Sequence, residues 1–346
     1  LQDVTGLAAE IMSVFSEMEE FLEEYPEFEG RDEVLELYFC LRDFLYIYEE
    51  LDDHYRIYAE NVGNTSFSVR LFCVDPSRLL SRCMGQGNST ILFSATLLPV
   101  NYYKKLLSGE TEDYAVYAAS PFPESNRLLM VATDVSSRYS RRNEAEYRKV
   151  ADYIRTVTEA KKGNYMIFFP SYQYMDAVEK IFEEAPLKAD LIIQGQGMGE
   201  IEKKEFLEEF ELKREHSLAA FCVMGGSFSE GVDLKEERLI GVIVVGTGLP
   251  MVCTEQEILR EYFNETEERG FDFSYQYPGM NKVLQAAGRV IRTPADKGVI
   301  LLLDDRFLKR DHLELFPREW EHFQMVNKSN VSACLSDFWK KGEEES

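Results

Sequence analysis

Gln285, Arg289 and Arg292 follow one another at offsets of four and three residues in the run Gln285-Ala-Ala-Gly-Arg-Val-Ile-Arg292. On an α-helix those offsets place all three side chains on one face. Gly288 beside them removes bulk where another backbone or a ligand can approach. One amide and two guanidiniums suit a polyphosphate, because the planar guanidinium holds phosphate oxygens in a fixed fork. An arginine reaching a γ-phosphate from a neighbouring domain is a recurring device of nucleotide hydrolases. Arginines at helical spacing are more often solvated surface, so the flanks decide. A Pro/Asp/Lys/Gly turn and the apolar run Gly298–Asp304 follow, which reads as helix, turn and buried strand, the grammar of an α/β domain.

Four further segments follow apolar, β-prone runs, and in open α/β sheets ligands collect beyond the carboxyl ends of strands. Ser94-Ala95-Thr96 follows Ile91–Phe93; its two hydroxyls suit a relay between ligands, or a helix cap. Phe168 to Tyr172 places a hydroxyl, Ser171, and an aromatic, Tyr172, at a strand end. These suit a phosphate contact and a base stack, or ordinary turn chemistry. Gly225 to Asp233 is glycine-rich, and glycines let backbone N–H groups approach an anion. Ser227 and Gly231 lie within it, and Glu230 and Asp233 suit sugar hydroxyls or an arginine. Two acidic residues and three glycines are dense for a structural turn, which favours a functional reading. Gly195-Gln-Gly-Met-Gly199 imitates a dinucleotide fingerprint, but its third glycine is misplaced and Glu200 would repel a pyrophosphate. Gln194 just before it remains a candidate nucleic-acid contact.

The elements that must carry these loops are legible from Phe67 onward. Phe67–Val74, Ile91–Ser94, Tyr114–Ala118, Leu128–Ala132, Tyr165–Phe169, Leu191–Ile193, Ala219–Val223, Leu239–Val245 and Val299–Leu303 read as strands. Pro76–Met84, a segment after Pro99, Glu144–Ala160, Tyr174–Glu184 and Glu200–Leu212 read as helices. Alternating units of this kind predict a parallel sheet with helices on both faces. Before them, residues 7–24 form an amphipathic pattern, and a longer helix is expected from about Asp32 to Tyr58, with Asp52-Asp53-His54 on its wet side.

At 346 residues, with 45% hydrophobic and 13% aromatic side chains, the chain can hold two cores. The net charge of −24 argues against a simple nucleic-acid binder. The acidity is local, however. Residues 1–66 hold 18 acidic side chains against 3 arginines, whereas the other 280 residues hold 44 acidic and 35 basic. Those 280 can therefore present a basic groove, and Arg138, Arg141, Arg142, Arg148 and Lys149 form one local cluster. The 6 cysteines are scattered with no C-x-x-C pair, and His54, His216, His312 and His322 have no metal spacing, so no metal site is expected in the chain itself. No phosphate loop, no secretion signal and no membrane-length apolar run is legible, which predicts a cytoplasmic protein with no membrane partner.

Taken in order, Ser94-Ala95-Thr96, Phe168 to Tyr172, Gly226 to Asp233 and Gln285 to Arg292 resemble motifs III, IV, V and VI of superfamily 2 helicases, most closely the XPD/DinG branch of DNA helicases. Phe93-Ser-Ala-Thr-Leu-Leu-Pro99, Ser120-Pro-Phe-Pro123 and Tyr277-Pro-Gly279 fit that branch as well. The resemblance spans roughly residues 67–310. It implies an α/β fold of RecA-like parallel sheet, preceded by an acidic helical segment. Residues 1–66 would end an arch-like insertion, 67–115 would be the tail of a first RecA-like domain, and 116–346 the second. ATP with Mg²⁺ would be shared with an upstream RecA-like domain, and single-stranded DNA would be the other partner. Arg292 would be the arginine finger, with Arg289 beside it and Gln285 sensing the nucleotide. Gly231, Asp233, Glu230 and Gly288 would serve nucleotide binding and coupling. Ser171, Tyr172, Ser227 and Gln194 would meet DNA, and Ser94 and Thr96 would link the domains. Motifs I and II are absent, as are the iron–sulfur cysteines, so any cluster belongs to the parent only and the isolated chain should not hydrolyse ATP. The parent is expected to move 5′ to 3′. A non-catalytic DNA- or protein-binding module and an RNA-directed translocase remain alternatives.

Overall fold

The structure, a computed structural model, describes residues 3–63, 66–184, 188–228 and 238–341. In chain order the elements begin with α1 (Thr5–Glu24), α2 (Arg31–Glu49), β1 (Tyr55–Val62), β2 (Ser66–Cys73), α3 (Ser77–Met84) and α4 (Val100–Leu107). Next come β3 (Arg127–Ala132), α5 (Glu144–Ala160), β4 (Asn164–Phe169), α6 (Tyr172–Glu183), β5 (Ala189–Ile193), α7 (Glu200–Glu208), β6 (Ser217–Val223) and β7 (Gly241–Val245). Last are α8 (Thr254–Glu267), a π-helical segment (Asp272–Gln276), α9 (Tyr277–Ala287), β8 (Gly298–Leu303), α10 (Arg310–Leu313), β9 (Gln324–Val326) and α11 (Val331–Lys341).

One compact unit comprises Leu1–Leu92, Tyr103–Asp113 and Cys253–Gly270. Within it α1 packs on α2, with the Phe15 and Tyr38 rings stacked at 4.7 Å. The long helix expected to reach Tyr58 is corrected here: α2 ends at Glu49, and Asp52 caps the turn that follows by accepting from the backbone N–H of His54 at 2.9 Å. From Tyr55 the chain pairs with β2 along eight residues of antiparallel ladder. Partners far along the chain, invisible to a local helical period, decide that segment. Residues 254–267 join this unit as α8: Tyr58 donates to Glu255, and Lys105 pairs with Glu267 at 2.9 Å.

The other unit, Phe93–Tyr102, Tyr114–Val252 and Phe271–Ser346, holds a seven-stranded, all-parallel sheet of order β5-β6-β4-β7-β8-β3-β9. Parallel strands are buried on both faces and so read as unbroken apolar runs; Tyr165 to Phe169 are all fully buried. Alternate residues, among them Ile167, Phe169, Phe221, Ile243 and Leu301, form one core under α5, α6 and α11. The intervening positions are buried too, and α9 packs against β7. The RecA-like parallel sheet read from the sequence is present, with an N-terminal helical segment ahead of it.

Two expected strands do not form. Residues 91–94 and 114–118 are irregular, with Ile91 83%, Phe93 90% and Val116 92% exposed. Among the described residues no strand pairs with either, and a β-strand without a ladder leaves its amides to water.

Candidate functional site: strand-end loops pinned to one helix

The carboxyl ends of β4, β5 and β6 meet around Gln194. Its Oε1 accepts the Val223 N–H at 2.8 Å, and its Nε2 donates to the Tyr172 hydroxyl at 3.1 Å, which in turn donates to the Gly195 carbonyl at 3.3 Å. Gln194 is 3% exposed. It is therefore an internal brace between three strand ends, with its amide oxygen and one amide N–H engaged within the fold. Tyr172 is half-buried, and burial raises its phenol above the ordinary value while Gln194 opposes that. A Cβ on Gly226 would lie 2.9 Å from Gln194 Nε2 and 3.1 Å from the Val223 carbonyl, so a larger residue there would press on the Gln194 brace. Ser227 next to it is exposed. Ser171 caps α6, accepting the Tyr174 N–H at 3.2 Å, so turn chemistry accounts for its type.

Glu230, Gly231 and Asp233 lie outside the described residues. Ser94 and Thr96 form a small hydroxyl turn, 3.3 Å apart, on an exposed segment. The Gly195–Gly199 segment leads into α7, and the Glu202 carboxylate accepts the Gly199 N–H at 2.7 Å, so a carboxylate of the chain already sits where a dinucleotide phosphate would go.

Gln285, Arg289 and Arg292 do not share a helical face, as their spacing had predicted. Helix α9 ends at Ala287, Gly288 turns the chain, and Arg289 to Arg292 descend in a turn and loop. Asp296 holds the end of this turn: one carboxylate oxygen accepts the N–H groups of both Arg292 and Thr293 at 2.7 Å, and the other accepts the Thr293 hydroxyl at 2.9 Å. Gln285 is half-buried on the last helical turn, Gly288 is exposed, and Arg292 is half-buried. Arg289 is 5% exposed and lies near Cys222, whose thiol burial raises and the guanidinium lowers.

The start of α9 is fixed just as tightly. A Cβ on Gly248, whose φ is 69°, would stand 2.3 Å from the Gly279 carbonyl oxygen, and one on Gly279 would stand 2.8 Å from the Thr247 carbonyl. The loop after β7 therefore crosses α9 backbone to backbone. One turn on, the Lys282 stem lies over Gly225 in the loop after β6. One helix is thus seated on two strand-end loops and runs into the arginine turn. Asp296, Lys282 and the Gly248–Gly279 crossing were missed in the sequence, where each looked like ordinary loop or helix surface.

The basic cluster is spent internally. Glu146 binds Arg141 at 2.6 Å and Lys149 at 2.9 Å, Arg138 pairs with Asp305 at 3.2 Å, and Arg148 bridges Glu144 and Glu184. Arg142 donates to the Ser137 carbonyl at 3.2 Å and lies over the Tyr174 ring. The basic groove allowed for on composition is not built from these residues. Beside them Asp304, fully buried at the end of β8, accepts from Ser137 Oγ at 2.6 Å and from Arg306 Nε at 2.8 Å. Burial raises this carboxyl, but Arg306 and Ser137 outweigh it, and Asp304 ends below the ordinary carboxylate value.

A seven-stranded parallel sheet with loops gathered at its carboxyl edge and an arginine turn after α9 makes a RecA-like domain. The family model of the helicase C-terminal domain matches residues 154–323. The chain is 26% identical over 314 residues to the XPD helicase subunit of the general transcription and DNA repair factor IIH of Schizosaccharomyces pombe, covering 85% of this chain and 39% of that protein. It is 26% identical over 236 residues to a probable ATP-dependent helicase of Methanocaldococcus jannaschii, covering 64% and 35%. Among solved structures, an apo XPD matches with a TM-score of 0.57 at 20% identity over 85% of this chain and 57% of that one. An XPD helicase structure gives 0.58 at 20% over 83% and 50%. The family model and these relatives support a likeness to the C-terminal half of an XPD/DinG-branch superfamily 2 helicase. The chain spans somewhat more than a third of the length of these two curated relatives.

Proposed function

We propose that this chain is the C-terminal, arginine-supplying part of an ATP-dependent DNA helicase that converts ATP hydrolysis into 5′-to-3′ movement along single-stranded DNA. The observation that carries this reading is helix α9, seated on the strand-end loops at Gly225 and Gly248 and continuous with the Arg289–Arg292 turn. A rigid element of this kind can transmit a change at one end to the other. Tyr172 and Ser227 at the rim of the sheet would meet the strand, with Ser171 positioning Tyr172 as the cap of its helix. Arg292 would stabilise charge on the transferred phosphoryl group. Arg289, buried below the turn, would support it, and Gln285 would sense the nucleotide beside Gly288. Glu230, Gly231 and Asp233 would face the ribose and phosphates, and Ser94 and Thr96 would link this part to an upstream RecA-like domain that holds ATP and Mg²⁺. The bare apolar segments at Ile91–Phe93 and Tyr114–Val116 support such a neighbour, since both are strand-like sequences without a ladder. The residues present fit a helper of nucleotide chemistry rather than a complete nucleotide site: they offer arginines and an amide but no phosphate-loop lysine.

The test is hydrolysis by this chain alone and by the full-length parent, each with and without single-stranded DNA. The chain alone should be inactive. The parent should be stimulated by DNA, and Arg292→Ala should lower its turnover by about a thousandfold while leaving DNA affinity within about twofold. Normal hydrolysis with lost DNA binding in that variant would reverse the assignment of Arg292.

A further inference from the structure

Lys282 sits in the middle of α9, one turn before Gln285. Its aliphatic stem crosses Gly225, whose φ of 75° puts it in the left-handed region. A Cβ on Gly225 would lie 3.2 Å from Lys282 Cε and 3.3 Å from Nζ, so the end of the lysine rests directly against this bare loop. The loop continues through Gly226 to the exposed hydroxyl of Ser227. Lys282 is half-buried, and burial lowers its pKa with no opposing carboxylate among the described residues. A partly desolvated ammonium without a counter-charge costs stability. Packing alone would favour Met or Leu at this position. In the residue 138–149 cluster, Arg138, Arg141, Arg148 and Lys149 each pair with a carboxylate, whereas Lys282 has none among the described residues.

We propose that Lys282 is a phosphate-binding residue, its ammonium completing with the Gly225–Ser227 loop a seat for one phosphate of the ligand that crosses the carboxyl edge of the sheet. The inference rests on the helicase reading above and adds to it a residue outside the four motifs. Two ligands carry the required chemistry, a phosphate of a single strand and a phosphate of ATP. The position of Lys282 on α9 makes the seat a coupling point as well: a phosphate gripped here bears on the same helix that ends at Gln285 and the arginine turn.

The experiment compares wild type, Lys282→Met and Lys282→Arg in the full-length parent. A fluorescein-labelled oligothymidylate is titrated at several salt concentrations in one arm and a fluorescent ATP analogue in the other, with thermal unfolding of each protein. Met keeps the stem over Gly225 and removes the charge. It is expected to weaken binding several-fold in one arm, to leave the melting temperature unchanged or higher, and to be rescued by Arg. If the strand supplies the phosphate, the slope of log affinity against log salt drops by about 0.7 in the oligothymidylate arm. If the nucleotide supplies it, only the analogue arm responds. Unchanged affinity in both arms with normal wild-type binding overturns the role of Lys282 and leaves the helicase reading intact. A lower melting temperature for Met with unchanged affinity makes the residue structural and also overturns it. Failure of the wild type to bind either probe removes the helicase reading and this inference together.

Discussion

Asp296 holds Arg292 from four residues downstream: its carboxylate accepts the Arg292 backbone N–H at 2.7 Å while also fixing Thr293. The arginine thus leaves the helix on a loop of defined shape instead of continuing a fraying turn. Asp296→Ala should cost about 1–2 kcal/mol of stability, the typical loss of such a cap. If the parent is the proposed helicase and Arg292 its finger, Asp296→Ala should lower turnover more than it raises the KM for ATP, because it would displace that arginine without removing it. Asp296→Asn keeps an acceptor and should recover most of both. Steady-state kinetics beside urea unfolding would check this, and an Asp296→Ala enzyme with normal turnover would refute it.

Gln194 ties three strand ends together from a buried position. Gln194→Ala strands the Val223 N–H and removes one of the two hydrogen bonds of the Tyr172 hydroxyl, so about 2 kcal/mol of destabilisation is expected. Tyr172→Phe keeps the ring and loses only the hydroxyl contacts, and should cost about 1 kcal/mol. If the ring stacks on a base, Tyr172→Phe binds single-stranded DNA almost normally, whereas Tyr172→Ala loses about 1–3 kcal/mol. Fluorescence anisotropy on the three proteins separates brace from contact.

Asp304 gives the fold a defined acid sensitivity. Its carboxyl is held below the ordinary value in the folded chain, against burial, by Arg306 and Ser137. A group depressed on folding contributes stability above its unfolded pKa, about 4, and loses that contribution as pH falls through its folded pKa. Asp304→Asn leaves the Arg306 guanidinium without its carboxylate and should cost about 3 kcal/mol near neutrality. The gap between wild type and variant should narrow as pH is lowered below about 4. Urea midpoints at a series of pH values read this directly; a gap constant with pH would exclude the ion pair as the source.

The Gly248–Gly279 crossing leaves no space for a methyl group. Gly248→Ala places a Cβ 2.3 Å from a backbone oxygen at a φ of 69°, and backbone cannot swing aside as a side chain can. About 3 kcal/mol or more of destabilisation is expected. Gly288→Ala is the contrast: its Cβ would meet the Leu284 carbonyl at 3.2 Å and its φ is −65°, so the stability effect should be under about 1 kcal/mol. Thermal unfolding of the two variants ranks them, and equal effects would mean that α9 shifts freely over the β7 loop.

The sequence by itself determined the parallel sheet, because strands buried on both faces must be continuous apolar runs such as Tyr165–Phe169 and Val299–Leu303, and the intervening helices must carry a period near 3.6. It also set the order of the four loops and, through them, the resemblance to helicases. It could not determine what depends on partners distant in the chain. Residues 55–62 became a strand because residues 66–73 offered a ladder, while residues 91–94 and 114–118, equally β-prone, found none among the described residues. Likewise Gln194 reads as a polar loop residue until three strand ends close around it. Arg289 and Arg292 read as helical until the chain turns at Gly288 and Asp296 holds the amides of Arg292 and Thr293. Lys282 reads as helix surface until the bare Gly225 loop is laid beneath it. Periodicity is a local record of burial, so it reports which face of an element is apolar; hydrogen-bond partners, close backbone crossings and uncompensated charge arise only when separate segments meet in space.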